Sequence, residues 1–279
     1  RPLLARLISW LRSPRVALQY RAIGGRSPID GNTRVQVESL QRRLGDRFVV
    51  RHAFRHSAPF AAPVLDELTA RQVRGVVALP LYPQWSRGTT GSSLEELRRL
   101  AADRAVTLAE VRSYPDAEGF VESLAAQAAP MIDDRCHVIM SAHGLPRRAA
   151  LPPETYVDEV RRTHSAVAAC LPAGTAHSLA FQSRLGPVEW VRPYLTDEIA
   201  RLGAAGVRSM VVLPLSFACE NLETLYELDI QAARLARASG VESFRRAPTP
   251  GCHDSFIGEL ARLTRQAAAT AGWEATVGR

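Results

Sequence analysis

The sequence predicts an α/β protein with parallel sheets covered by helices. Three observations lead there. Short β-branched runs alternate with stretches of helical period, the pattern of strand–helix–strand units. The run Val207–Pro214 is apolar at nearly every position, as a strand buried on both faces must be. Three motif-like segments, after Pro80, after Met140 and after Pro214, follow directly on predicted strands. That is where ligands bind in open parallel sheets.

In chain order the strands are expected at Phe48–Ala53, Gly75–Pro80, Ala105–Val111, His137–Ser141, Ser178–Gln182, Val207–Pro214 and Val241–Arg246. Between them, apolar residues recur at helical spacing in Val35–Leu44, Ala61–Arg71, Leu94–Arg104, Ala117–Met131, Thr155–Cys170, Thr196–Leu202 and Glu220–Ala238. Gly251–Ala271 closes the chain as a helix. The stretch Ser113–Ala117 reads as a junction between two halves, residues 1–115 and 116–279. Neither repeats nor low-complexity segments interrupt the pattern.

The 279 residues suffice for one large or two ordinary domains. An apolar fraction of 46% and a charged fraction of 23% are those of a soluble globular chain. No apolar run reaches the roughly 18–20 residues of a membrane-spanning helix. Arg12, Arg15 and Arg21 interrupt any signal-peptide pattern, so a cytoplasmic protein is expected. The net charge is +7, with Arg as the sole basic residue besides His. Scattered Arg without a nucleic-acid motif ranks nucleic acid last among partners. Cys136, Cys170, Cys219 and Cys252 lack C-x-x-C spacing, and are expected to be buried small hydrophobes rather than metal ligands.

Three segments carry candidate chemistry. In Ser141-Ala142-His143-Gly144-Leu145-Pro146, an apolar strand delivers one His at its carboxyl end, where Gly and Pro turn the chain. Imidazole is the side chain best suited to exchange protons near neutrality, although a backbone-satisfied loop His reads the same way. In Glu220-Asn221-Leu222-Glu223-Thr224-Leu225-Tyr226-Glu227-Leu228-Asp229, the acids Glu220, Glu223 and Glu227 fall on one helical face, with Asp229 off it. Carboxylates there can hold a hard cation loosely or pass protons; a solvated helix start explains them equally. Tyr82-Pro83-Gln84-Trp85-Ser86-Arg87-Gly88-Thr89-Thr90-Gly91-Ser92-Ser93 is a helix cap or an anion cradle. It lacks the P-loop Lys and spacing, and its aromatics favour a flat apolar ligand.

Together with Gln19-Tyr20-Arg21-Ala22-Ile23-Gly24-Gly25-Arg26-Ser27-Pro28, and with Gln182-Ser183-Arg184-Leu185-Gly186-Pro187 followed by Trp190, these segments resemble the ferrochelatase family in its order and over nearly the whole chain. The resemblance implies two Rossmann-like halves, each a parallel sheet flanked by helices, with a porphyrin cleft between them. It implies Fe²⁺ insertion into a porphyrin, protoporphyrin IX foremost, with release of two protons to form haem. By position, His143 is the catalytic histidine and Glu223 its acidic partner, both able to touch the metal. Glu220 and Glu227 continue as a proton relay. Arg12, Tyr20, Phe54, Arg55, Tyr82, Tyr156 and Trp190 would bind the porphyrin, Arg12 through a propionate.

The resemblance has gaps. The resemblance implies a first strand and Gly-rich turn ahead of the region where this sequence starts, so its first half is expected to be incomplete at its start. Asn221 stands where the family commonly has His. Arg87 stands where some members have a cluster-binding Cys, and the family's Cys-rich tail is not expected in this sequence. The expectation is therefore Fe²⁺ as substrate, with neither a tightly bound cofactor nor an iron–sulfur cluster. The apolar, Arg-rimmed segment Leu3–Arg12 suggests peripheral contact with an anionic membrane at the pocket mouth. Alternatives are a chelatase for coproporphyrin or sirohydrochlorin, or a non-catalytic porphyrin or haem carrier on the same fold.

Overall fold

A computed structural model describes residues 16–149 and 156–273. Arg12 and the segment Leu3–Arg12 lie outside the described residues. The chain forms two parallel sheets. β1 (Gly75–Ala78) pairs with β2 (Thr107–Glu110). The larger sheet holds β3 (Cys136–His143), β4 (Ala176–Gln182), β5 (Ser209–Pro214) and β6 (Ser243–Arg246) in the order β4-β3-β5-β6. All its pairings are parallel. The helices are α1 (Ile29–Leu44), α2 (Ala61–Ala70), α3 (Ser92–Ala102), α4 (Glu118–Ala128), α5 (Tyr156–Cys170), α6 (Leu195–Ala204), α7 (Ala233–Ala238) and α8 (Asp254–Thr270).

Both faces of the larger sheet are covered, which is why its strands are apolar throughout. Val138, Met140 and Ala142 of β3 join Val211 and Leu213 of β5 in one core, with Phe120, Leu124, Val160, Phe256 and Leu260 from α4, α5 and α8. Ile139, Met210 and Val212 point the other way and meet Leu195, Ile199 and Leu202 of α6 and Leu228. Each fully buried side chain of this size stabilises the fold by about 1.5–3 kcal/mol.

The chain leaves β3 towards β4 on one side, then returns to place β5 on the other. The strand order therefore reverses between β3 and β5, and the carboxyl ends of those strands flank the crevice where such sheets bind ligands. His143 ends β3, and Pro214 ends β5.

Two expectations fail locally. Phe48–Ala53 is not a strand. Phe48 and Val50 do pack on the core, but their backbone groups bond to a side chain rather than to a strand. Gln41 donates through Nε2 to the Phe48 carbonyl at 2.8 Å and accepts from the Val50 N–H at 2.8 Å. The cysteines also divide: Cys136 and Cys219 are buried, whereas Cys170 and Cys252 are exposed. Cys170 ends α5 and Cys252 lies in the turn before α8, where nothing covers them as the strand packing covers Cys136.

The last helix spans the junction expected near residue 115. It packs on α1, on α4 and on both strands of the small sheet. Gly75 permits this closure, because a Cβ there would come within 3.0 Å of the Trp273 indole. No helix among the described residues is long and apolar enough to cross a membrane.

Candidate active site

The site is built on three strand ends. β3 delivers His143 beside Gln182 at the end of β4, the two being register partners. Gly144 then allows the strands to stay close, since its N–H donates to the Gln182 carbonyl at 2.9 Å and a Cβ would fall 2.6 Å from that oxygen. Trp190 closes the other side of Gly144, its Nε1 donating to the Leu185 carbonyl at 2.9 Å.

His143 is half-buried, with Nδ1 2.6 Å from the Gly144 carbonyl. A carbonyl can only accept, so this contact assigns the proton to Nδ1 and leaves Nε2 of the neutral ring as a bare acceptor. The Phe217 ring stands edge-on to the imidazole at 6.3 Å. Tyr156, expected to line the porphyrin, is instead 6% exposed. Its hydroxyl donates to the His143 carbonyl at 2.8 Å and lies 3.0 Å from Ser216 Oγ. Burial pushes its phenol pKa far up, so it stays a donor that holds the histidine from behind.

The acidic segment folds differently from a single helical stripe. Residues Glu223–Ala232 form a π-helix that runs on into α7. Glu220 precedes it and turns away. One Glu220 oxygen accepts from Arg246 at 2.8 Å and from the Thr249 N–H at 2.9 Å; the other accepts from Thr224 Oγ1 at 2.6 Å. Burial raises the Glu220 pKa, but these bonds outweigh it and hold the carboxyl below its ordinary value. Asn221 caps the helix: its Oδ1 accepts from the Thr224 N–H at 3.1 Å, and its own N–H donates to Thr224 Oγ1 at 3.0 Å. Asp229 leaves the stripe as expected, paired through both oxygens with Arg246 at 2.6 and 2.9 Å.

Glu227 turns to the end of β4, and Glu223 lies close enough to Tyr82 and Glu227 to act on both through its charge. Ser183 Oγ donates to Glu227 Oε2 at 2.6 Å, and Gln182 Nε2 reaches the same oxygen at 3.2 Å. The Gln182 amide is oriented by that acceptor, and its Oε1 accepts from Ser141 Oγ at 2.9 Å on the other side. Its Nε2 also reaches the Glu223 carbonyl at 3.3 Å. Ser183 holds φ at 66°, an uncommon backbone for a non-glycine residue, which is frequent where function fixes geometry. Burial raises the Glu227 pKa; Ser183 and Gln182 oppose that, the Glu223 charge adds to it and His143 offsets it. Tyr82 keeps part of its ring exposed, and its phenol is raised by desolvation first and by the Glu223 carboxylate second. His143, Glu223, Glu227 and Tyr82 thus act on one another electrostatically.

Tyr20 lies in the last turn of a helical stretch at residues 16–22, its carbonyl accepting from the Gly25 N–H at 2.7 Å. Phe54 bridges Phe60, and Arg55 pairs with Glu96 of α3 at 3.2 Å. In the Ser/Thr/Gly loop Ser86 Oγ accepts from the Thr89 N–H at 3.2 Å and Ser92 Oγ donates to the Gly88 carbonyl at 3.0 Å, whereas Thr90 Oγ1 is buried without a hydrogen-bond partner among the described residues. Gln84 pins that loop to the second half, donating to Thr163 Oγ1 and to the Leu215 carbonyl, both at 2.9 Å.

Sequence reasoning assigned no role to Ser141, Gln182, Ser183, Gln84 or Arg246. The signal for Gln182 and Ser183 was there: polar residues at the carboxyl end of a buried strand stand where His143 does.

One histidine set against two acids at a strand-order reversal is an arrangement that a metal chelatase of the α/β class can use. The comparisons agree. The ferrochelatase family model matches residues 1–268. The ferrochelatase of Gloeobacter violaceus is 36% identical over 280 residues, covering 93% of this chain and 84% of that protein. That of Geobacter metallireducens is 36% identical, covering 95% of this chain and 86% of its own length. Among solved structures, SirB from Bacillus subtilis with Fe³⁺ superposes with a TM-score of 0.67 at 12% identity, over 88% of this chain and 91% of that one. That likeness speaks to fold alone. The chain belongs to the ferrochelatase family, and is a lyase that inserts metal into a porphyrin.

Proposed function

We propose that the chain inserts Fe²⁺ into protoporphyrin IX, with His143 as the base that removes the pyrrole protons. The carrying observation is the Nδ1–H bond to Gly144, which leaves Nε2 free to accept. A planar porphyrin shields its two N–H protons inside the ring. Aromatic walls from Tyr20, Phe54, Tyr82 and Trp190 would bind the macrocycle buckled, at a strain of about 1–5 kcal/mol met by remote contacts. Arg12 would meet a propionate, and Arg55 would lie with Phe54 on the inner wall.

Glu223 would contact the entering metal and take up charge. Glu227, whose buried carboxyl holds its proton more readily than a free carboxylate, would carry protons away. Glu220 is bonded on both oxygens, so its part in the relay would be to anchor the helix start. A loose donor set also suits a metal that must leave with the product. Imidazole and carboxylate do not discriminate strongly against Zn²⁺, so zinc-porphyrin should form as well as haem. The isolated protein should lack the visible absorption of an iron–sulfur cluster. The Leu3–Arg12 segment would rest weakly on anionic lipid, from the cytoplasmic side.

The test compares kcat/KM for protoporphyrin IX and coproporphyrin with anaerobic Fe²⁺. Preference for protoporphyrin supports the proposal; preference for coproporphyrin overturns the substrate but not the chemistry. Porphyrin bound without any insertion would establish a carrier.

A further inference from the structure

A second pair of metal-ligating side chains lies away from the cleft. His177 Nδ1 and His164 Nε2 are 3.2 Å apart, with ring centroids at 5.0 Å. His177 is exposed and His164 half-exposed, so water and ions reach both. Their backbones are fixed. His177 sits in β4 in register with Val138 of β3. His164 follows Thr163 on α5, whose Val160, Thr163 and Val167 are buried. β4 runs five residues from His177 to Gln182, about 16 Å at the usual strand rise, so the pair lies near the opposite end of the sheet from His143.

We propose that His164 and His177 form a peripheral chelate for a divalent transition ion of the Zn²⁺ or Cu²⁺ class. In the hydrogen-bonded pair one ring already presents its lone pair; the other frees its own by changing tautomer, its proton moving to its far nitrogen, so both rings stay neutral as the metal enters. With metal–nitrogen bonds of about 2.0–2.1 Å, a 3.2 Å separation corresponds to a ligand–metal–ligand angle of about 100°, within the range of tetrahedral and octahedral sites. Small pivots of the exposed His177 ring and the half-exposed His164 ring aim both lone pairs at a common ion. No group of three or more His, Cys, Asp or Glu gathers among the described residues, so water completes the coordination. His137 does not take part: it faces the other side of the sheet, bonded to Ser178 Oγ at 2.9 Å. Imidazole ligands without carboxylates or thiolates select borderline ions over Mg²⁺ or Ca²⁺.

The experiment counts Zn²⁺ bound to the full chain by equilibrium dialysis and follows the histidine ring resonances by NMR. Wild type should hold one equivalent more than His177→Ala and His164→Gln. His143→Ala should keep that equivalent. Zn²⁺ should shift the His164 and His177 rings in the wild-type protein itself, a readout that needs no variant. Metal insertion should stay within about twofold in both outer variants. Equal Zn²⁺ stoichiometry in wild type and the two outer variants, or unshifted His164 and His177 resonances at saturating Zn²⁺, would overturn the proposal.

Discussion

At the scale of single residues, the chemistry depends on which atoms are already bonded. His143 spends Nδ1 on Gly144 and keeps Nε2. Glu227 takes both its donors on Oε2. Because its folded pKa is raised, ionising Glu227 costs stability: its favourable contribution is complete below the ordinary carboxylate range and is lost as pH rises through the raised value. Glu227→Gln should therefore melt at or above the wild-type temperature at neutral pH, with the difference vanishing near pH 4. A variant less stable at neutral pH than at pH 4, relative to wild type, would contradict this account of the burial. Asn221 shows the limit of transferring roles by position. Its amide completes a helix cap, and nothing at that position titrates.

Among the elements, the π-helix carries the site and β6 holds it. Arg246 at the end of β6 is tied to Glu220 on one flank of the helix start and to Asp229 on the other. Asp229→Asn should therefore act on stability: about 1–2 kcal/mol, after allowance for its partial exposure, read in denaturant unfolding. Its insertion rate should stay near that of wild type. Glu223→Gln should do the reverse, with unchanged unfolding and a rate loss of tenfold or more. Equal rate losses in the two would mean that the acids act only through the helix. Periodicity made the parallel sheets and His143 legible, because a strand buried on both faces announces itself and the residue after it is placed by that fact. The π-helix was not legible: the spacing of Glu220, Glu223 and Glu227 satisfies an α-helical face, and only the bonds to Arg246 and Thr249 draw Glu220 out of it. Phe48–Ala53 misled for a related reason. Its pattern is that of a strand, but a strand also needs a partner, and Gln41 supplies the bonds instead.

Over the whole molecule, a few buried amides join the segments around the cleft. Gln84 ties the Tyr82 loop to α5 and to the chain after β5, and Gln36 of α1 donates to the carbonyls of Ala218 and Gly251, both at 2.9 Å. Gln84→Leu leaves Thr163 and the Leu215 carbonyl without that donor, which should cost about 1–3 kcal/mol by denaturant unfolding and raise the porphyrin KM. An unchanged midpoint would show that the loop is held by other contacts. The most direct test is anaerobic insertion of Fe²⁺ into protoporphyrin IX by wild type and His143→Ala, read by the absorbance of product, with porphyrin binding measured in parallel. The account predicts that the variant folds and binds porphyrin like wild type but loses insertion by at least about 10²-fold, the scale of general-base assistance. Insertion within tenfold of wild type would remove His143 from the chemistry.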